Sequence, residues 1–318
     1  MAEKEGALDL RDLEELREIG REVEGEAIMD VAVVGGGTMG RGIAHALAAK
    51  GINVILIEKN EEAAKRSREQ LEEDLDHEIQ RWALTESDKR AILARIQMST
   101  DLDELERYDV VIEAITENLQ AKQDLFRRLD EVCPPETIFV TNTSTLSITE
   151  IAAATRREDR VIGMHFLNPV PKVPLVEIVR GLKTSDETFE NAKRLAERLG
   201  KTAVEVYEYP GYVTTRVIVT MLNEAMHILM EGVASAEGID TAMKLGFNFP
   251  VGPLTLADMM GLDEVMAWME TLFRELGDMK YRPCPLLRKL VRAGHLGKKT
   301  GRGFFVYDET GKKIGVAQ

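Results

Sequence analysis

The sequence predicts an α/β domain with a parallel sheet, followed by a mostly α-helical domain. Short β-branched runs alternate with amphipathic segments up to about residue 210, the pattern of parallel strands joined by crossover helices. Beyond that point, long segments rich in Leu, Met and Ala dominate. The length of 318 residues fits two domains at a typical size of roughly 150 residues each.

Residues 1–28 are predicted to form an acidic helical N-terminal extension. Leu13, Leu16, Ile19 and Val23 recur at helical spacing. The segment is rich in glutamate, whereas a secretory signal needs an apolar stretch and a transit peptide is poor in acids. We therefore expect a cytoplasmic protein.

From residue 30 the chain alternates between strand and helix. Gly51 is a natural end for the first helix, and Thr85 or Ser87 could cap a new one within the long charged stretch that runs to about Arg95. The predicted strands are Val31–Val34, Val54–Ile57, Val110–Glu113 and Thr137–Thr141, and the helices between and after them are 38–50, 60–95, 118–132 and 148–154.

A domain boundary is expected near Pro210–Gly211, which gives a sheet domain at 29–209 and a helical domain at 210–318. The helical domain is predicted to end in a pairing of Phe304–Tyr307 with Lys313–Val316. Its predicted helices are Tyr212–Glu231, Thr255–Leu276 and Leu286–Ala293.

Composition limits the classes of function. Apolar residues make up 44% and charged residues 30%, which is typical of globular proteins. The net charge of −14 argues against nucleic acid or an anionic membrane as the main partner, because both require a basic face. No apolar run approaches the roughly 18–20 residues of a membrane span. Cys133 and Cys284 lack neighbours at ligand spacing, so neither a disulfide framework nor a Cys-based metal site is expected.

The segment from Gly35 to Gly40 fits the pattern G-x-G-x-x-G between a strand and a helix. Gly35 would make the tight turn, Gly37 would let the backbone approach a pyrophosphate, and Gly40 would allow close packing of the helix. The N–H groups of the first helical turn, at Thr38 and Met39, would face the phosphates. This context predicts a Rossmann-like dinucleotide site, the alternative being a turn that is merely rich in glycine.

Glu58 ends the second strand, 18 residues after Gly40. A carboxylate there can accept hydrogen bonds from the ribose hydroxyls and would repel a 2′-phosphate. The sequence therefore favours NAD over NADP.

Further polar residues follow neighbouring strands. Glu113 ends the third strand, and Asn142, Thr143 and Ser144 follow the fourth. The carboxyl ends of parallel strands meet at one edge of a sheet, where ligands bind. Each residue alone could equally be a helix cap or a solvated loop residue.

His165 and Glu177 are expected to pair across a bend. They lie in predicted strands, 160–166 and 175–179, and are symmetric in sequence about Pro171. Antiparallel partners share a constant index sum, so a symmetric bend brings these two together. A His beside a carboxylate is a plausible general base, and Asn168 could hold a substrate oxygen. The alternative is a half-buried structural histidine.

The chain resembles the L-3-hydroxyacyl-CoA dehydrogenase family from about residue 29 to its end. The resemblance implies a Rossmann-like NAD-binding domain, a helical domain that forms a homodimer, and reversible oxidation of an acyl-CoA thioester substrate. The stretches that carry it are VVGGGTMGRGIA (33–44), DVVIEAITEN (109–118), TNTSTLSI (141–148), GMHFLNPVPKVPLVEIVRG (163–181), FPVGPLTLAD (249–258) and LGKKTGRGFFVY (296–307).

The resemblance also implies roles for individual residues. His165 would be the catalytic base and Glu177 its orienting partner. Ser144 and Asn168 would contact the 3-oxygen or the thioester, while Glu113, Lys122 and Asn142 would lie along the NAD.

Two departures from the family pattern concern the substrate end. In the motif P-G-F-x-x-N-R, Thr215 stands where the family has an Asn that contacts substrate. The helix after Asn60 offers Ser67 as a CoA contact but then becomes acidic, which does not suit a polyanionic CoA. These departures leave open a dehydrogenase of a free hydroxy acid or of carnitine. A protein that binds dinucleotide without catalysis is a further alternative.

Overall fold

A computed structural model describes residues 30–81 and 83–317 of the chain. The predicted N-terminal helix lies outside the described residues. The first domain is built on an eight-stranded sheet with the order β3-β2-β1-β4-β5-β6-β7-β8, in which only the β6–β7 pair is antiparallel. The strands are β1 (Asp30–Val34), β2 (Asn53–Ile57), β3 (Ile96–Ser99), β4 (Val110–Glu113), β5 (Ile138–Thr141), β6 (Val161–Phe166), β7 (Leu175–Arg180) and β8 (Thr202–Tyr207).

Helices cover both faces of this sheet, as predicted. Alternate residues of β1 belong to different cores: Val31 and Val33 pack on one face, and Ala32 and Val34 on the other. Two buried faces explain why the central strands are continuous apolar runs. The helices of this domain are α1 (Thr38–Ala49), α2 (Glu61–Gln80), α3 (Glu86–Ala94), α4 (Leu119–Val132), α5 (Ile148–Ala152) and α6 (Asp186–Arg198).

The second domain has a core of its own, formed by residues between Val219 and Tyr307. Its helices are α7 (Thr214–Met230), α8 (Ala236–Phe247), α9 (Pro253–Met260), α10 (Leu262–Leu276) and α11 (Pro285–Arg292). The predicted terminal hairpin is confirmed as β9 (Phe305–Tyr307) and β10 (Lys313–Val316). The carboxylate of Asp258 in α9 accepts backbone N–H groups of Phe304 and Phe305, which ties this hairpin to the helices.

Several elements differ from the predictions. The predicted helix at 255–276 is two helices, because Gly261 adopts φ = +100° and breaks the run. The helices α6 and α8 and the strands β3 and β8 were not predicted. Thr85, one of the two proposed caps, forms a capping box with Asp88 at the start of α3. No helix among the described residues is long and apolar enough to cross a membrane.

Candidate active site

The glycine loop connects β1 to α1 at the point where the strand order reverses. Gly35 has φ = +101°, and a Cβ there would lie 2.8 Å from the carbonyl oxygen of Ala114. A Cβ on Gly40 would lie 1.7 Å from the carbonyl oxygen of Gly35, so only glycine permits this contact. The first helical turn therefore lies directly on the loop, as the motif predicts.

The N-terminus of α1 is open toward the cleft. No side chain in the described part of the chain caps it, and its first turn, which includes Thr38 and Met39, contains no acidic residue. A Cβ at Gly37 would meet open space. Free N–H groups and the positive end of the helix dipole suit a pyrophosphate here. The adjoining cleft has a volume of about 740 Å³, and Glu58 lies on its wall.

Glu58 is held by the loop and by α2. The backbone N–H of Gly36 donates to Glu58 Oε1 at 3.0 Å. The hydroxyl of Ser67 lies 2.9 Å from the same oxygen and 2.8 Å from the carbonyl oxygen of Gly36. Ser67 is buried, and these contacts place its hydroxyl on the cofactor side of the cleft. Its predicted contact with CoA stays a prediction.

Glu113 and Lys122 form a buried ion pair at the end of β4. Both side chains are fully buried, and Lys122 Nζ lies 2.5 Å from Glu113 Oε1. The other oxygen, Oε2, accepts the hydroxyl of Thr141, and Ile115 donates its N–H to Oε1. Lys122 Nζ also lies 3.5 Å from Glu117 Oε2. The predicted contacts of Glu113 and Lys122 with NAD stay predictions.

Glu117, which the sequence analysis did not single out, binds the loop that follows β5. Its Oε1 accepts the N–H groups of Ser144 and Thr145 and the hydroxyl of Thr143, and its side chain is 35% exposed. It thereby fixes the loop that carries Ser144. The available signal was its place in the resembling stretch 109–118, directly before Asn118, which caps α4.

The predicted pairing of His165 with Glu177 is confirmed. They are direct partners in the antiparallel β6–β7 pair, and His165 Nδ1 lies 2.7 Å from Glu177 Oε2. Both side chains are buried, at 5% and 1% exposure.

The second domain donates hydrogen bonds to Glu177 of this pair. The N-terminus of α7 directs the N–H groups of Val213 and Thr214 at Glu177 Oε1, and the Thr214 hydroxyl donates to Oε2 at 2.7 Å. Burial by itself would raise the pKa of Glu177, but the hydrogen bonds from His165 and Thr214 outweigh it and lower that pKa. Glu177 is therefore held as a carboxylate.

The other predicted residues lie next to the pair in sequence, contact its neighbours in sequence, or adjoin Thr214. Asn142 Oδ1 accepts the N–H of Phe166, next to His165, and Asn168 is exposed just beyond β6. Thr215 is buried beside Thr214, and its predicted contact with substrate stays a prediction. Tyr212 packs its ring 5.6 Å from that of His165. Tyr212 and Thr214 reach the pair because the second domain packs against the first. Sequence analysis missed them, since no local pattern in the sequence predicts contacts between domains.

Comparison with known proteins agrees with this geometry. The NAD-binding domain of 3-hydroxyacyl-CoA dehydrogenase matches residues 30–209, and the C-terminal domain of the same family matches residues 211–307. A probable 3-hydroxybutyryl-CoA dehydrogenase from Bacillus subtilis is 52% identical over 89% of this chain and 98% of that protein. The human mitochondrial hydroxyacyl-coenzyme A dehydrogenase is 41% identical over 88% of this chain and 91% of its own.

Solved structures include a similar enzyme. The (S)-3-hydroxybutyryl-CoA dehydrogenase from Ralstonia eutropha superposes with a TM-score of 0.82 at 48% identity, covering 89% of this chain and all of that one. These matches show that the chain belongs to the 3-hydroxyacyl-CoA dehydrogenase family and uses NAD as its cofactor.

Proposed function

We propose that this NAD-dependent 3-hydroxyacyl-CoA dehydrogenase acts on short-chain L-3-hydroxyacyl-CoA, with His165 as its general base and Glu177 as the orienting carboxylate. The observation that carries the proposal is the buried contact of 2.7 Å between these two side chains at the junction of the domains. Burial strengthens the electrostatic interaction between the carboxylate and the charge that develops on the ring.

The contact with Glu177 supports a direction for the proton transfer. Because Glu177 is a carboxylate, His165 would donate its Nδ1–H to it, so Nε2 would carry the lone pair and take the proton of the substrate hydroxyl. Glu177 then stabilises the imidazolium, and its own four hydrogen bonds keep it ionised. The glycine loop and Glu58 would hold NAD, which would supply the acceptor for the hydride from C3 of the substrate. In the reverse direction His165 returns the proton to the 3-oxygen.

Neighbouring residues position the two molecules. Ser144, held by Glu117, and the exposed Asn168 would bind the 3-oxygen or the thioester. The N-terminus of α1 would bind the pyrophosphate, and Glu58 would accept hydrogen bonds from the ribose hydroxyls of NAD. Holding the reacting atoms in this way supplies a large share of the rate.

The first test is NADH consumption by the purified protein with acetoacetyl-CoA, beside free acetoacetate as substrate and NADPH as cofactor. We expect rapid loss of NADH with the thioester alone. Turnover of free acetoacetate at a similar rate would overturn the CoA substrate. NADH binding without turnover of the thioester would overturn the proposed reaction.

The second domain is proposed to form a homodimer. Leu245 and Phe247 at the end of α8 are 81% and 71% exposed, and Val233 nearby in sequence is 71% exposed, which is costly in water unless covered. Sedimentation equilibrium should give twice the monomer mass, and Phe247→Asp should weaken the association. A monomer at all concentrations would contradict this. A cytoplasmic location also stays a prediction.

A further inference from the structure

We infer that Ser67 is a positioning residue for cofactor selectivity: its hydroxyl fixes Glu58 and the glycine loop so that NAD is preferred over NADP. This rests on the proposed role of Glu58 at the ribose. It also replaces the expectation that Ser67 serves CoA.

The first step is the closed set of contacts around Glu58. Ser67 Oγ lies 2.9 Å from Glu58 Oε1 and 2.8 Å from the Gly36 carbonyl oxygen, while the Gly36 N–H donates to the same carboxylate oxygen at 3.0 Å. Oε1 is therefore engaged from two sides. Oε2 accepts the N–H of Lys59 at 3.2 Å, and among the described residues it is the oxygen left to accept a ribose hydroxyl.

The second step is that α2 holds the loop itself. A Cβ on Gly36 would lie 2.3 Å from Ser67 Oγ, so the loop and the helix are in direct contact. Arg41 Nη1 also donates to the Gly36 carbonyl, and Gln70 and Asp74 of α2 hold that guanidinium. Asp74 belongs to the acidic stretch of α2 that does not suit CoA, and its carboxylate binds Arg41 beside the glycine loop.

The third step concerns discrimination. A carboxylate excludes a 2′-phosphate only while it is held toward the ribose. Once released, Glu58 can rotate toward solvent, and the cations of Lys59 and Arg66 on the wall of the same cleft would favour the phosphate. Losing the Ser67 hydroxyl should therefore weaken NADH binding and relax the exclusion of NADPH.

The test compares Ser67→Ala with Ser87→Ala, an exposed serine of α3 that lies away from the cleft. Calorimetry measures the Kd of each protein for NADH and for NADPH without any turnover, so the result does not depend on the proposed reaction. For Ser67→Ala we expect the Kd for NADH to rise about tenfold, because one charge-assisted hydrogen bond is lost. The ratio of the Kd for NADPH to the Kd for NADH should become smaller. Ser87→Ala should match the wild type.

A second measurement separates the two roles of Ser67. The ratio of the KM values for acetoacetyl-CoA and acetoacetyl-pantetheine should be the same in wild type and Ser67→Ala, because the pantetheine thioester lacks only the nucleotide part of CoA. If the ratio of KM values changes while the Kd values for NADH and NADPH do not, Ser67 is a CoA contact and the inference is overturned. The inference is also overturned if neither the ratio of KM values nor the two Kd values change. Should Ser67→Ala fail to fold by circular dichroism, Ser67→Cys, which keeps the shape but donates weakly, replaces it.

Discussion

Glu113 and Glu177 are two buried carboxylates of the same sheet, and they differ in the basic side chain that faces them. Glu113 meets the ammonium of Lys122 at 2.5 Å, with both side chains fully buried. Glu177 meets the imidazole of His165 at 2.7 Å, and that ring has a second nitrogen. The Lys122 ammonium also lies 3.5 Å from Glu117 Oε2, and an ammonium held between two carboxylates stabilises the structure. A histidine can be held through one nitrogen and exchange a proton through the other.

We therefore expect the Glu113–Lys122 pair to contribute to stability and the His165–Glu177 pair to contribute to the reaction. Breaking the Glu113–Lys122 pair leaves an unpaired buried charge and should destabilise the fold. Breaking the His165–Glu177 pair should stop the reaction while the fold survives, because α7 still supplies donors to Glu177. Four variants test whether the two pairs divide in this way.

The largest effect is expected for His165→Gln. The variant loses the proton acceptor while the glycine loop is untouched, so kcat should fall by about 10³- to 10⁴-fold with the Kd for NADH unchanged. Stopped-flow or steady-state NADH consumption with acetoacetyl-CoA measures the first, and calorimetry the second. His77→Gln, an exposed position of α2, serves as the control. A kcat near that of the wild type would remove His165 from the mechanism.

Lys122→Met should act on stability instead. The variant leaves the Glu113 carboxylate buried and unpaired, so the free energy of unfolding should fall by about 3–5 kcal/mol, measured by urea titration. Lys65→Met removes a lysine whose side chain is 78% exposed and should change little. Adding Glu113→Gln to Lys122→Met should recover part of the loss. Unchanged stability with a raised Kd for NADH would mean that Lys122 serves the cofactor after all.

The outcome for these pairs shows what the sequence could and could not predict. The His165–Glu177 partnership followed from the symmetry of one short bend, since register in a hairpin is a local property. The Glu113 side chain points inward to Lys122, which lies nine residues further along the chain on α4. The glutamate of this stretch that is exposed is therefore Glu117 rather than Glu113. The glycine loop was predictable because its steric demands are local. Thr214 reaches Glu177 only through the packing of two domains.

Glu177→Gln should have a smaller effect on the rate than loss of the base. The amide still holds the ring but cannot balance the charge of the imidazolium, so kcat should fall about 10²-fold with a modest change in KM. Glu205→Gln on the neighbouring strand β8, where the side chain is 39% exposed and pairs with Arg180, is the matched control. A loss of structure by circular dichroism, with no specific loss of kcat, would place Glu177 with Glu113 as a structural carboxylate.

The smallest effect is expected for Thr214→Val, which removes one of the four hydrogen bonds to Glu177. Those bonds lower the pKa of Glu177 in the folded protein, so the carboxylate stabilises the fold above its unfolded pKa and loses that contribution as pH falls through the folded pKa. Removing one bond raises the folded pKa toward the ordinary value. Acid unfolding, followed by circular dichroism, should then begin at a higher pH, and kcat at neutral pH should fall about two- to tenfold.

The control is Thr220→Val on the same helix, where the hydroxyl donates to the Arg216 carbonyl, and this variant should leave the acid unfolding and kcat unchanged. If Thr214→Val and Thr220→Val behave alike, the hydroxyl of Thr214 contributes only to α7, and the second domain holds Glu177 through backbone N–H groups alone.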